Sequence, residues 1–148
     1  MPAAKLPHAL RQSSDDLEQA FYDAMEVGSV DAMMSLWSTE DDIACIHPNS
    51  PRIEGFDAIR AIFAQLFADG GLVIRPVLLH KFEQPDLVVH HVLEQVTLNS
   101  ERGEELINIA ATNVYQKTPQ GWRMVFHHAS PAAEEMSAAM LDVPHVLH

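Results

Sequence analysis

Cysteine occurs once, at Cys45, so no intramolecular disulfide can form and a stapled secreted scaffold is excluded. Positive charge is scarce: nine Lys and Arg stand against 21 Asp and Glu, a formal net charge of −12, and the basic residues form no cluster. Such a surface repels a nucleic-acid duplex, so nucleic acid is not expected as a partner. Long apolar runs are missing as well. Stretches such as 72–74 and 77–79 fall far short of the roughly 18 residues a spanning helix needs, and no membrane association is expected. Gly-rich phosphate loops, a nucleophile elbow and paired thiols are all absent, which sets aside kinases, serine hydrolases and thiol redox enzymes.

What remains suits a single globular domain. The chain has 148 residues, 47% of them hydrophobic, enough for a core without disulfide or metal. Residues 1–12 carry two prolines and no signal-like apolar stretch, and read as a loose arm on a cytoplasmic protein. The domain is expected over 13–131, followed by a tail over 132–148 that forms one short helix or none. Cys45, inside the apolar run 43–46, reads as a small buried group rather than a reactive thiol.

Ser13, Ser14, Asp15 and Asp16 offer a helix start, because a capping side chain satisfies free amides and acidic groups suit the helix dipole. Leu17, Phe21, Ala24 and Met25 continue it as one apolar stripe that Gly28 closes, and Ser29 caps a second helix over 30–37. The run 43–46 predicts a strand followed by a loop at Pro48 and Pro51. Ile59, Ile62, Phe63, Leu66 and Phe67 then mark a third helix, ended by Gly70 and Gly71. Four β-prone segments follow, 72–82, 87–99, 105–117 and 122–130, joined by short polar turns and hence antiparallel. Helices first and strands after is an α+β order, with one sheet face covered by the helices.

That order, with Ile46, His47 and Pro48 leading through Pro51 and Ile53 to Glu54, Gly55, Ala58 and Ile59, resembles the nuclear transport factor 2-like superfamily. The ending Gly121, Trp122, Arg123 through His127, His128, Ala129 and Ser130 is similar to its SnoaL-like and ketosteroid-isomerase-like branches. The resemblance implies a cone: a curved mixed sheet wrapped around three N-terminal helices, a central pocket at the open end, and a homodimer through the outer sheet face. It also implies, for steroid isomerase chemistry, a tyrosine on the first helix and an aspartate before a proline. The matching positions here hold Phe21 and His47, with Tyr22 one step off that face.

Turn lengths suggest a register. Pairing across 118–121 sets Lys117 opposite Trp122, Asn113 opposite Phe126 and Ala111 opposite His128; pairing across 100–103 sets His90 opposite Asn113. The inward face then carries Val92, Val96, Ile109 and Met124 with His90, Glu94, Asn113, Tyr115, Trp122, Phe126 and His128. A mostly apolar cavity with sparse polar points is how small-molecule sites are built. His47 and His128 are the candidate acid/base groups, since imidazole exchanges a proton near neutral pH. His90, Glu94, Asn113, Tyr115, Trp122 and Phe126 are the candidate ligand contacts. For each histidine the alternative is a core residue satisfied by a neighbour; for Glu94 it is an ion pair with Arg75. Trp122 is expected to be buried. The pairs His90, His91 and His127, His128 cannot grip one metal ion, because strand neighbours point to opposite faces, and neither metal nor cofactor is expected. The outward face, with Val89, Leu93, Val114 and Val125, is the expected dimer surface. Two functions stay open: a small acid/base enzyme (isomerase, lyase or hydrolase type) acting on an apolar cyclic or carbonyl-bearing metabolite, and a non-catalytic ligand-binding or association domain.

Overall fold

Helix α1 (Ser14–Val27) begins where the Ser13 hydroxyl accepts a hydrogen bond from the Asp16 amide at 3.1 Å. In the computed structural model, which describes residues 13–133, a second serine works in the same way: Ser29 caps α2 (Val30–Met34) through the Ala32 amide. The third helix, α3, is Phe56–Leu66. The strands are β1 (Ala44–Ile46), β2 (Ile53–Glu54), β3 (Val73–Glu83), β4 (Leu87–Ser100), β5 (Gly103–Thr118) and β6 (Gly121–Pro131). They form one six-stranded sheet in the order β2-β1-β6-β5-β4-β3. All pairings are antiparallel except β1 with β6, which is parallel, so the sheet is mixed. The expected arm over 1–12 lies outside the described residues, as does the tail beyond residue 133.

The sheet departs from the expected pattern in two places. Strand β2 falls where the sequence suggests only loop; two residues are too few to show the alternation by which a strand is read. More consequential is a bulge in β6. Lys117 does face Trp122 and Tyr115 faces Met124, but the next pair is Val114 with Phe126, leaving Val125 as an extra residue. Beyond that point every side chain changes face. Asn113 therefore stands opposite His127, not Phe126, and His128 stands opposite Thr112, not Ala111. A second irregularity in β3, between Leu78 and His80, adds to the bending of the sheet around the helices.

Between sheet and helices lies the core. Leu17 and Phe21 of α1, Met33 of α2, Ile59 and Phe63 of α3, and Tyr115 and Met124 of the sheet are all fully enclosed. The tryptophan at its centre is Trp37, 1% exposed and 6.3 Å from the Phe63 ring centroid, whereas Trp122, expected to be buried, is only partly so at the core's edge. Trp122 lies beside the turn of the β5–β6 hairpin, one pair from Thr118 and Gly121; Trp37 follows α2 and bridges directly to Met124.

Helix α1 ends by pressing onto the turn that starts β3. Gly28 adopts the left-handed conformation, φ 74°, and a Cβ there would lie 2.7 Å from the Gly71 nitrogen. A Cβ on Gly71 would lie 2.1 Å from the Glu26 carbonyl oxygen, and the Leu72 amide donates to the Met25 carbonyl at 2.8 Å. The incoming strand thus satisfies a carbonyl the helix leaves unpaired, and only bare backbone fits the approach. Gly71→Ala is expected to cost about 3 kcal/mol, and Gly28→Ala about 1–3 kcal/mol, read from urea unfolding midpoints. An unchanged midpoint for Gly71→Ala would show that this contact does not hold the helix end.

Candidate functional site

Alternation along β4 turns Val88, His90, Val92 and Glu94 to one face, and α1 crosses that face. Two stripes of α1 run side by side, the apolar one buried and the polar one passing from exposed Asp15 to buried Tyr22. Leu17, Phe21 and Met25 form the apolar one; Asp15, Glu18 and Tyr22, spaced by three and four residues, form a polar one beside it. The polar stripe meets the sheet where Lys81, His90, Asn113 and His127 form a row across four strands.

A connected set of contacts results. The Tyr22 hydroxyl donates to Glu94 Oε2 at 2.6 Å and accepts from Asn113 Nδ2 at 3.0 Å. Asn113 Nδ2 also lies 3.3 Å from Glu18 Oε1, to which Tyr115 Oη donates at 3.0 Å. Asn113 Oδ1 is 2.5 Å from His127 Nδ1. His90 Nδ1 sits 2.9 Å from Glu18 Oε1, an ion-pair separation off the line that a ring N–H bond requires, so its fully buried ring makes no hydrogen bond among the described residues. Lys81 and Asp15 close the outer edge with a 2.8 Å ion pair.

On the other side of Glu94 and His127 opens a cavity of ≈ 420 Å³, walled by Met25, Ile62, Leu66, Leu72, Ile74 and Ile109 among others. Among the described residues three titratable side chains line it: His47, Glu94 and His127. His47 follows β1 directly, its ring 5.8 Å from that of His127 and packed edge-on to Phe63 at 5.1 Å. Burial dominates the protonation of all three. It pushes the Glu94 carboxyl up to about 7, reinforced by the charge of Glu18 and opposed by the Tyr22 hydrogen bond. It pushes His127 down to about 3, with the charges of His47 and His128 acting in the same sense, and lowers His47. Tyr22 and Tyr115 are held well above the ordinary phenol range by burial and the adjacent carboxylates. Cys45 is buried with its thiol pushed up to about 12, which suits packing rather than reactivity.

The expected site residues therefore divide. His47 and Glu94 reach the cavity. His90, Asn113 and Tyr115 are fully buried in the polar layer behind it. Trp122 stays at the edge of the core. Phe126 and His128 are moved by the Val125 bulge to the outer face, where their rings meet 6.2 Å apart and His128 is exposed. Arg75 pairs with Gln95 across β3 and β4, not with Glu94, because strand alternation sets it on the opposite face. Glu18, Tyr22 and His127 belong to the site and were not among the expected residues. Tyr22, one step from the apolar stripe, is 3% exposed and faces the sheet. The polar spacing of Asp15, Glu18 and Tyr22 was the available signal. Among the described residues no three His, Cys, Asp or Glu are grouped to hold a metal ion, and no helix is long and apolar enough to cross a membrane.

Among the described residues a bent mixed sheet is closed by three helices over an acid-bearing cavity, and this is the cone of the nuclear transport factor 2-like superfamily. Within that superfamily the chain belongs to the SnoaL-like domain family, which matches residues 15–134. Among solved structures it is similar to a candidate calcium/calmodulin-dependent protein kinase type II association domain from Thiobacillus denitrificans. That protein is 38% identical with a TM-score of 0.75, over 82% of this chain and 96% of that one. A candidate dehydratase of the nuclear transport factor 2-like family from Streptomyces avermitilis is 25% identical, TM-score 0.69, over 85% and 98% of the two chains. A ketosteroid isomerase-like protein from Erwinia carotovora atroseptica, 14% identical with TM-score 0.69 over 80% and 93%, shares the fold. No curated protein matches the chain.

Glu94 and His127 affect stability against pH with opposite sign. Raising the Glu94 pKa from 4.5 to about 7 gives stability that is complete below pH 4.5 and lost as the pH climbs through 7. Lowering that of His127 gives stability present above pH 6.5 and lost as the pH falls toward 3. Glu94→Gln is therefore expected to gain about 3 kcal/mol relative to wild type between pH 4.5 and pH 8. Urea melts across that range measure it, and a difference independent of pH would mean that Glu94 ionises as it does in water.

Proposed function

We propose that this protein is a small acid/base enzyme acting on an apolar cyclic metabolite, with Glu94 as the group that takes or delivers the proton. The observation that carries this reading is a carboxyl group inside an apolar cavity, held by a 2.6 Å hydrogen bond from Tyr22. Tyr22 occupies Oε2, and no hydrogen bond among the described residues engages Oε1, so Oε1 is the oxygen that exchanges the proton. A carboxyl that titrates close to neutrality is suited to that exchange, being basic enough to accept and acidic enough to return it. His47 and His127 supply neutral polar contacts to the bound molecule. Proton transfer at carbon is the common element of isomerase and lyase chemistry, and the similarity to a candidate dehydratase is in keeping with it.

Deuterium exchange at the α-carbon of 2-tetralone, followed by NMR, tests this. Exchange is expected to rise with pH through about 7. Glu94→Gln should lose on the order of 100-fold or more, while His128→Ala, on the outer face, should exchange as wild type does. Binding without exchange would favour the second reading, a non-catalytic domain, which the similarity to an association domain supports.

We further propose that two copies pair through the outer sheet face. Phe82, Val89, Val114 and Phe126 form an apolar row across four strands there, with Phe82 55% exposed. Leu93, expected to contribute, is already 1% exposed within the single chain. Light scattering at micromolar concentration should give twice the chain mass; a 16.5 kDa particle would overturn the pairing.

A further inference from the structure

Glu18 lies outside the cavity, yet the polarity of every hydrogen bond between it and the cavity wall follows from it. We propose that Glu18, acting through Asn113, holds His127 as its Nδ1–H tautomer, so that Nε2 meets the cavity as a hydrogen-bond acceptor and selects ligands bearing a hydroxyl group.

The steps rest on what each group can donate. A carboxylate only accepts, so the part of Asn113 that lies 3.3 Å from Glu18 Oε1 must be the NH₂ group. Its second hydrogen goes to Tyr22 Oη at 3.0 Å, and the Tyr22 proton is already committed to Glu94 Oε2 at 2.6 Å. With both amide hydrogens used, Asn113 presents its carbonyl oxygen to His127 Nδ1 at 2.5 Å. A carbonyl oxygen also only accepts, so Nδ1 carries the proton. The reversed amide would set its carbonyl against the Glu18 carboxylate in a buried place, where an unmade hydrogen bond is costly. In a neutral imidazole with Nδ1 protonated, Nε2 keeps its lone pair. Burial favours that neutral ring.

His127 is a wall residue of the cavity, and its Nε2 has no hydrogen-bond partner among the described residues. A ligand carbonyl placed there would set acceptor against acceptor; a ligand hydroxyl completes the bond. The ligand class rests on the small-molecule reading above, whereas the tautomer does not. Glu18 is in this sense a positioning residue: it touches no ligand and acts through Asn113.

The tautomer is read directly from the imidazole ¹⁵N and ¹³Cδ2 shifts of His127 in the ligand-free protein. Wild type is expected to show Nδ1–H alone. Glu18→Gln replaces an obligate acceptor by an amide that also donates, so Asn113 is free to reverse and the Nε2–H form becomes populated. Tyr115→Phe removes a donor from the same carboxylate and should keep Nδ1–H, separating the effect from general loosening. Wild type showing Nε2–H, or a folded Glu18→Gln protein unchanged from wild type, would overturn the assignment. Should Glu18→Gln fail to fold, the wild-type spectrum still decides it. For the ligand class, 6-hydroxy-2-tetralone should bind about tenfold more tightly than its methyl ether, the worth of one net hydrogen bond. Equal affinities would overturn hydroxyl selection. Binding of neither would sink the small-molecule reading, leaving the tautomer result to stand by itself.

Discussion

The side-chain amide of Asn113 is the point from which the interior of this protein is organised. It is fully buried, and a buried amide left unpaired would cost several times what a surface contact returns. Its donors reach α1 at Glu18 and Tyr22, and its acceptor faces β6 at His127, so one side chain ties the first helix to the last strand. Those elements are 91 to 95 residues from Asn113 on one side and 14 on the other, which makes the tie a constraint on tertiary structure rather than on any local segment. Every other feature of the site depends on that registration. Tyr22 can hold Glu94 because α1 is fixed at this height above the sheet, and His127 can form part of the cavity wall because its ring is held from behind.

The layer has two sides with different dielectric character. Behind Glu94 and His127 lie carboxylates, phenols and an amide; in front of them lies an aliphatic wall of leucine, isoleucine and methionine. Burial acts on both groups by disfavouring charge, and because one is an acid and the other a base it shifts them in opposite directions until their order reverses, Glu94 upward and His127 downward. Near neutrality the outcome is a carboxyl able to gain or lose a proton beside imidazoles that stay neutral. That pairing is chemically asymmetric, and it arises from packing alone.

The same layer carries a cost that the fold must absorb. Among the described residues His90, wholly enclosed, has no aligned hydrogen bond, and in the apolar core beside the layer the indole nitrogen of Trp37 is likewise without one. Such groups weaken a core, since each forgoes its hydration. Leu17, Phe21, Phe63 and Met124 around them provide the compensating apolar burial, and the backbone contact of α1 with Gly71 adds a fixed stop at the far end of the helix. Polar layer and apolar core are thus two stripes of one helix, set side by side.

Local chemistry in the chain by itself determined the helix starts at Ser13 and Ser29, the left-handed stop at Gly28, the α+β order and the pairing of His90 with Asn113. Each depends on a cap, a glycine or a turn length that neighbouring residues specify. The inward placement of His90, Glu94, Asn113 and Tyr115 was legible for the same reason, because alternation holds along an unbroken strand. Past Val125 it does not hold. The extra residue exchanges His127 for His128, and nothing in the run Met124, Val125, Phe126 distinguishes a bulged strand from a regular one. Tyr22 and Glu18 were hidden differently: the apolar stripe beside them accounts for the helix face, and only the arrival of Asn113 and Glu94 from a distant part of the chain gives a polar stripe something to meet. The tertiary structure alone decided which of His127 and His128 enters the cavity and which groups of α1 meet Glu94 and Asn113, because both follow from contacts between segments that no local pattern relates.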